Sequence, residues 1–224
     1  MASNLTDTAR WLRTQRWMRT AVHEAGHAVL AIIEGRPFDD IVLEQDDSSN
    51  GMMRNVSYRP GDDEIVRITV AGVMAARLAR RRWDRRLFTT AHDDLGVVAE
   101  FAKTAANAVG LLTWNINATA QYLESNWGSV EAIAAALIRR CELTHTDCTR
   151  LYAEGRASAR GRKPFGKMGA SGWKPLFDRI EDRMRYPNGR IDRLREQGIR
   201  DLPMFSTSLA AGRERDPTPS GGRL

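Results

Sequence analysis

Apolar residues recur at helical spacing through most of the first 154 positions and alternate at strand spacing only briefly. From Asp7 to Arg19 the pattern predicts an amphipathic helix. Thr20 is placed to cap a second helix, Ala21 to about Glu34, which Gly35 and Pro37 stop. Ile41-Val42-Leu43 and Met52 to Tyr58 predict two short strands, joined by the turn-rich stretch Asp46–Gly51. Asp62 to about Arg82 predicts a helix with Ile65, Val66, Ile68, Val70, Val73 and Leu78 as its apolar positions. Thr89-Thr90 then caps another, running to about Asn107. Further helices are expected near Asn117–Asn126 and Ser129–Cys141. A last short one begins at Thr144, which stands at capping-box spacing from Asp147. No internal repeat is visible. The pattern predicts a mainly α fold with one small β-hairpin.

After Glu154 the pattern fades. RASARGRKPFGKMGASGWKP, rich in Gly, Arg and Lys, reads as a linker. Leu176–Arg185 and Gly189–Gly198 are candidates for short charged helices, and AGRERDPTPSGGRL has the composition of a disordered end. Charge sharpens this division. Residues 1–154 hold 18 Lys/Arg against 20 Asp/Glu, whereas residues 155–224 hold 16 against 8, so the net charge of +6 belongs to the tail. The expected organisation is a helical extension over 1–19, one domain over 20–154 and a basic, partly disordered tail over 155–224. A basic tail of this kind suits an acidic or polyanionic partner, or simply a solvated end. Such a tail is expected to be dispensable for folding.

His23-Glu24-Ala25-Gly26-His27 fits H-E-x-x-H. Residues i and i+4 of a helix project from one face, so both imidazoles can reach one ion. Glu24, beside the first of them, is placed to hold a water and take its proton. The surrounding positions Val22, Ala25, Val29, Leu30, Ile32 and Ile33 are apolar. Burying two histidines and a glutamate among them costs free energy unless something satisfies them, and Zn2+ would. The competing explanation is a chance pair of satisfied helix histidines, and it leaves Glu24 unexplained.

Catalytic zinc usually keeps three protein ligands. His92, Asp93 and Asp94 in FTTAHDDLGVVAEFA are the candidates for the third. Asp94 shares a helical face with Val98, Phe101 and Ala105, and Asp93 shares the more polar face of Gly96, Val97 and Glu100. Helical phase therefore selects Asp94. A first-turn carboxylate is also favoured by the helix dipole alone.

Several segments in order resemble the M41 peptidases, the protease domain of the membrane-anchored AAA protease FtsH. AVHEAGHAVLAIIEG is similar to the family's zinc helix and IVLEQDDSSNGMM to the hairpin after it. ITVAGVMAARLA resembles the next helix, TTAHDDLGVVAEFA the segment bearing an aspartate ligand, and ATAQYLESNWGSVEAIAAALIRRCELTHTDCTRLY the closing helices. The likeness spans about residues 20–152 and places the family's aspartate on Asp94. It implies a zincin-like metallopeptidase with one zinc on His23, His27 and Asp94 and with Glu24 as base. One departure is that the family's glutamates near the metal are replaced here by MAARLARRRW, which has arginine and no acid. Another is the missing ATPase module, since only 22 residues precede His23.

The remaining features carry less. Gly161 to Met168 approximates a phosphate-binding loop but ends in Met where a hydroxyl is required, and it follows no strand. Cys141, His145 and Cys148 are close in sequence but lack a fourth ligand, so helix packing is the simpler reading. The cluster Arg80–Arg86 could touch nucleic acid or an acidic partner, but a solvated helix end is the simpler reading, and the six tryptophans read mostly as core or interface anchors. No stretch approaches the roughly 18 apolar residues of a membrane span. The start has no secretory h-region and the cysteines are few, so a cytoplasmic location is the default expectation. The expected function is a zinc metalloendopeptidase, ATP-independent on its own, acting on flexible peptide or unfolded protein, or alongside a separate unfoldase. The rival is a zincin-fold binding or regulatory protein with weak or no hydrolysis.

Overall fold

The computed structural model describes residues 3–44, 51–57, 63–80, 87–88, 91–158 and 170–185; of these, the side chains of 3–16 and 170–171 lie outside the description. The first helix, α1, runs unbroken over Ser3–Ile33. The break expected at Thr20 does not occur. No Gly or Pro interrupts the chain there, and Thr20 is buried within the helix packing rather than standing at an exposed start. The proposed extension over 1–19 is thus the N-terminal half of the helix that carries the H-E-x-x-H motif. The expected stop holds: Gly35 adopts φ 65°, its N–H bonds the Ile32 carbonyl at 3.1 Å, and Arg36 N–H bonds the Ala31 carbonyl at 2.8 Å. These are the two bonds of a Schellman cap.

Strand β1 (Asp40–Leu43) pairs antiparallel with β2 (Gly51–Arg54), in the register Ile41↔Met53 and Leu43↔Gly51. A third strand, β3 (Glu142–Thr144), pairs with the other side of β1, giving the order β2-β1-β3. The expected hairpin is therefore two-thirds of a small sheet. Three residues far along the chain show no period of their own, and only the pairing Ile41↔Leu143 makes them a strand.

Helix α2 (Glu64–Arg80) lies along α1. Gly26 permits the close approach: a Cβ there would stand 2.6 Å from the Ala71 carbonyl oxygen and 2.7 Å from the Ala75 Cβ. Helix α3 (His92–Lys103) follows, then α4 (Ala108–Ser125) and α5 (Trp127–Arg140). α4 starts well before the expected Asn117, capped by Asn107, whose side chain accepts from Gly110 N–H at 2.9 Å. α5 packs on α1 and α4 on α2. Arg67 of α2 ties these layers, donating to the Glu34 carboxylate at 2.6 and 3.0 Å and to Asn115 Oδ1 at 2.8 Å, with Trp114 stacked 5.0 Å away. Helix α6 (His145–Ser158) opens on the expected Thr144 cap, which accepts from Asp147 N–H at 3.2 Å.

A short 3-10 turn, Ala170–Trp173, leads into helix α7 (Lys174–Arg185), which packs against α3. Trp173, Leu176 and Ile180 are fully buried, and Arg179 lies 5.4 Å over the Phe88 ring. Part of the segment expected to be an independent tail is thus built into the core. α6 also runs on to Ser158, past the expected boundary at Glu154. The basic surface of the segment misled the sequence reading, because three apolar residues at i, i+3 and i+7 suffice to seat a short helix on a neighbour. The Thr89-Thr90 cap, Arg81–Arg86, the phosphate-loop near-miss and Gly189–Gly198 lie outside the described residues. Among the described residues no helix is long and apolar enough to cross a membrane.

Candidate metal centre

His23, Glu24 and His27 sit in the C-terminal half of α1 and are each at most 6% exposed. Their helix is buried because α2 crosses it with small residues. Gly72, at the centre of α2, is the tightest point: a Cβ there would stand 2.7 Å from His23 Nε2 and closer still to His27 Nε2. Only glycine leaves room for both imidazoles. The residues of α2 also orient them. The Ile68 carbonyl lies 2.7 Å from His27 Nδ1. A carbonyl only accepts, so Nδ1 carries the proton and Nε2 is left to face the site, the arrangement that supports metal-bound imidazoles.

Asp94 reaches the same place from the first turn of α3. Its Oδ2 lies 2.9 Å from His23 Nε2 and 3.5 Å from His27 Nε2, and the two Nε2 atoms are 3.0 Å apart. Four donor atoms about 2.0–2.1 Å from a tetrahedral zinc would be separated by roughly 3.3 Å, so the observed triangle fits one such ion. His23, His27 and Asp94 are the only metal-competent group among the described residues. The neighbouring candidates turn away: the side chains of Asp93 and His92 are 105% and 64% exposed and bond each other at 3.1 Å. Asp93 lines the cleft but is not part of the metal-competent group. Replacing Asp94 by Ala is expected to weaken zinc binding by more than the roughly 100-fold that loss of a supporting hydrogen-bond partner costs, and Asp93→Ala to leave it nearly unchanged. Metal titration of the two variants checks this, and equal losses would overturn the assignment.

The electrostatics of the cluster favour a cation at its centre. Burial opposes a charge on His27, but the Asp94 carboxylate outweighs it and raises the imidazole to about 9. Burial likewise opposes the Asp94 charge, and His27 and His23 hold its carboxyl far below the usual range. Glu24 goes the other way. Burial raises its pKa, the two histidines pull it back, and Asp94 adds to the rise. His23 Nδ1 is buried with no hydrogen-bond partner among the described residues.

An open cleft of about 360 Å³ stands over these groups. One wall is the edge strand β2 with Met52, Met53 and, beyond it, Val56; the other is α3 with Val97; Thr69 of α2 contributes to the lining. Gly51 brings β2 against Glu24, since a Cβ there would meet Glu24 Oε1 at 2.7 Å. Among the described residues no arginine, Arg77 and Arg80 included, lines the cleft. Gly72, Thr69 and Val97 were not singled out from the sequence as site residues. The only hint of Gly72 was its place among the small residues of VAGVMAA.

Cys141, His145 and Cys148 form no such group among the described residues. The Cys148 thiol is buried and pushed up to about 12, chiefly by that burial, and the His145 ring packs edge-on against Phe38 at 4.6 Å. They are packing residues.

Residues 3–80 match the model of a family described as Peptidase M50B-like, a group of metallopeptidases. The match takes in α1, β1, β2 and α2, with both histidines and Glu24, and ends before Asp94. It supports a metallopeptidase and names M50B where the segments resemble M41, so the FtsH-like assignment is not supported at that level of detail. No curated protein matches the chain.

Proposed function

We propose that the chain is a zinc-dependent endopeptidase with Glu24 as general base. The observation that carries this is the triangle of His23 Nε2, His27 Nε2 and Asp94 Oδ2, with edges of 2.9–3.5 Å, set beside a buried carboxyl at the floor of an open cleft. His23, His27 and Asp94 would hold the ion. Asp94 lies beyond the matched residues, so its role rests on this geometry and on the M41-like segment around it. Zinc, when bound, lowers the pKa of a water from about 15.7 toward 7. The other tasks fall to the chain. Glu24 takes the attacking water's proton and returns it to the departing nitrogen. Burial raises its pKa, so it takes up a proton more readily than a solvated carboxylate.

Strand β2 is an edge strand of the sheet and borders the cleft. An extended peptide can add to such an edge through main-chain hydrogen bonds, which tolerate many sequences. The apolar side chains Met52, Val56 and Val97 then favour an apolar residue beside the scissile bond. Flexible or already unfolded segments are the substrates this arrangement admits, with or without a separate unfoldase. One observation favours the rival reading of a binding or regulatory protein: among the described residues His23 Nδ1 lacks the supporting acceptor that His27 has.

The test is zinc uptake combined with hydrolysis of casein and of an unstructured peptide. The purified chain is expected to take up about one zinc, to cleave both substrates, and to lose activity to a chelator and regain it with zinc. Because His27 is held near 9 without an ion, it keeps its proton at neutral pH. Zinc must displace that proton, so uptake should release protons and strengthen as pH rises toward 9. Full zinc loading without cleavage would establish the binding-protein reading instead.

A further inference from the structure

Thr69 is 6% exposed, sits inside α2 and lines the metal cleft. A threonine inside a helix commonly turns its hydroxyl back to a carbonyl one turn earlier. Thr119 does so, to Asn115 O at 2.8 Å, and Thr104 does so at the end of its helix, to Phe101 O at 2.8 Å. Among the described residues no hydrogen bond engages the Thr69 hydroxyl. It lies between two positions that shape the metal site: Ile68, whose carbonyl holds His27, and Gly72, against which both imidazoles rest. Residues 69 and 72 share a helix face, so Thr69 stands on the face that meets the site.

Among the described side chains lining the cleft, the remaining polar groups are the two histidines, Glu24, Asp93 and Asp94. The histidines and Asp94 form the metal triangle, Glu24 is occupied with the water's proton, and the Asp93 carboxylate has no proton to donate. Thr69 is the one neutral hydroxyl donor. We propose that Thr69 is a catalytic residue that donates a hydrogen bond to the scissile carbonyl oxygen as it acquires charge. This rests on the endopeptidase reading above.

In the step concerned, the water oxygen bonds to the carbonyl carbon and the carbonyl π pair moves onto its oxygen, while the water's proton passes to Glu24. The carbon–nitrogen bond then breaks, the nitrogen takes the proton from Glu24, and a carboxylic acid and an amine result. Thr69 keeps its own proton throughout. Its bond strengthens where charge builds, so it acts on kcat rather than on substrate binding.

Thr69→Val keeps the shape and burial and removes the donor; Thr69→Ser keeps the donor. The valine variant is expected to retain zinc, circular dichroism and KM while kcat falls on the order of 100-fold, and the serine variant to recover at least about ten-fold of that. Calorimetry with a phosphinic peptide, whose anionic oxygen occupies the place of the charged one, should show the same ranking of affinities. Valine-variant kcat and phosphinate affinity within about three-fold of wild type would overturn the proposal. If the zinc-loaded wild type binds the phosphinic peptide but cleaves nothing, the endopeptidase reading fails. The calorimetric ranking then still decides whether Thr69 contacts that oxygen.

Discussion

Glu24→Gln is expected to leave the chain folded and zinc-loaded and to reduce kcat on an unstructured peptide by about a thousand-fold, within the roughly 10²–10⁴ that a positioned general base contributes. The amide keeps the size and one oxygen of the side chain but cannot accept the water's proton. Glu24 is not among the three donor atoms of the metal triangle, so zinc content should not change. Stability should hold or rise slightly, because burial makes the Glu24 charge costly and the neutral amide avoids that cost. Metal analysis, a thermal melt and steady-state kinetics on the same preparation separate these outcomes. Activity within a few-fold of wild type would remove Glu24 from the mechanism, and loss of zinc would show that its role is to hold the metal.

Ending the chain after Ser158 is expected to lower the melting temperature by on the order of 10 °C, with zinc held constant. The deletion removes Trp173, Leu176 and Ile180 from the core. Burial of a large apolar side chain stabilises by about 1.5–3 kcal/mol. A loss of several kcal/mol shifts the midpoint by about 2–4 °C per kcal/mol in a protein of this size. The surface exposed lies on α3, the helix that bears Asp94, so zinc affinity should fall as well. Trp173→Ala and Ile180→Ser in the full chain should reproduce part of both effects without altering the tail's charge. An unchanged melt after truncation would show that α7 is not part of the fold.

The two halves of this site were legible to different degrees. The spacing of His23 and His27, their helix and the base between them follow from local chain geometry, which residues four apart determine without any partner. The phase of Asp94 against Val98 and Phe101 was legible for the same reason, and it separated Asp94 from Asp93 and His92. The Gly35 stop and the Thr144 cap are likewise local, since each is made by backbone groups within a few residues.

What the sequence could not determine is set by contacts between distant segments. β3 exists because β1 offers it an edge, and three residues have no period to detect. α7 looks like a charged tail until α3 supplies a surface for Leu176 and Ile180. Thr20, a plausible cap in isolation, is overridden by the packing that buries it. Gly72 and Thr69 become site residues only when α2 crosses α1 at Gly26, a close approach set by which small residues meet across two helices. Sequence alone thus determined the H-E-x-x-H spacing and the helical class. Tertiary packing decided what surrounds that motif, because the walls of a cleft are built by residues that share a place and not a stretch of chain.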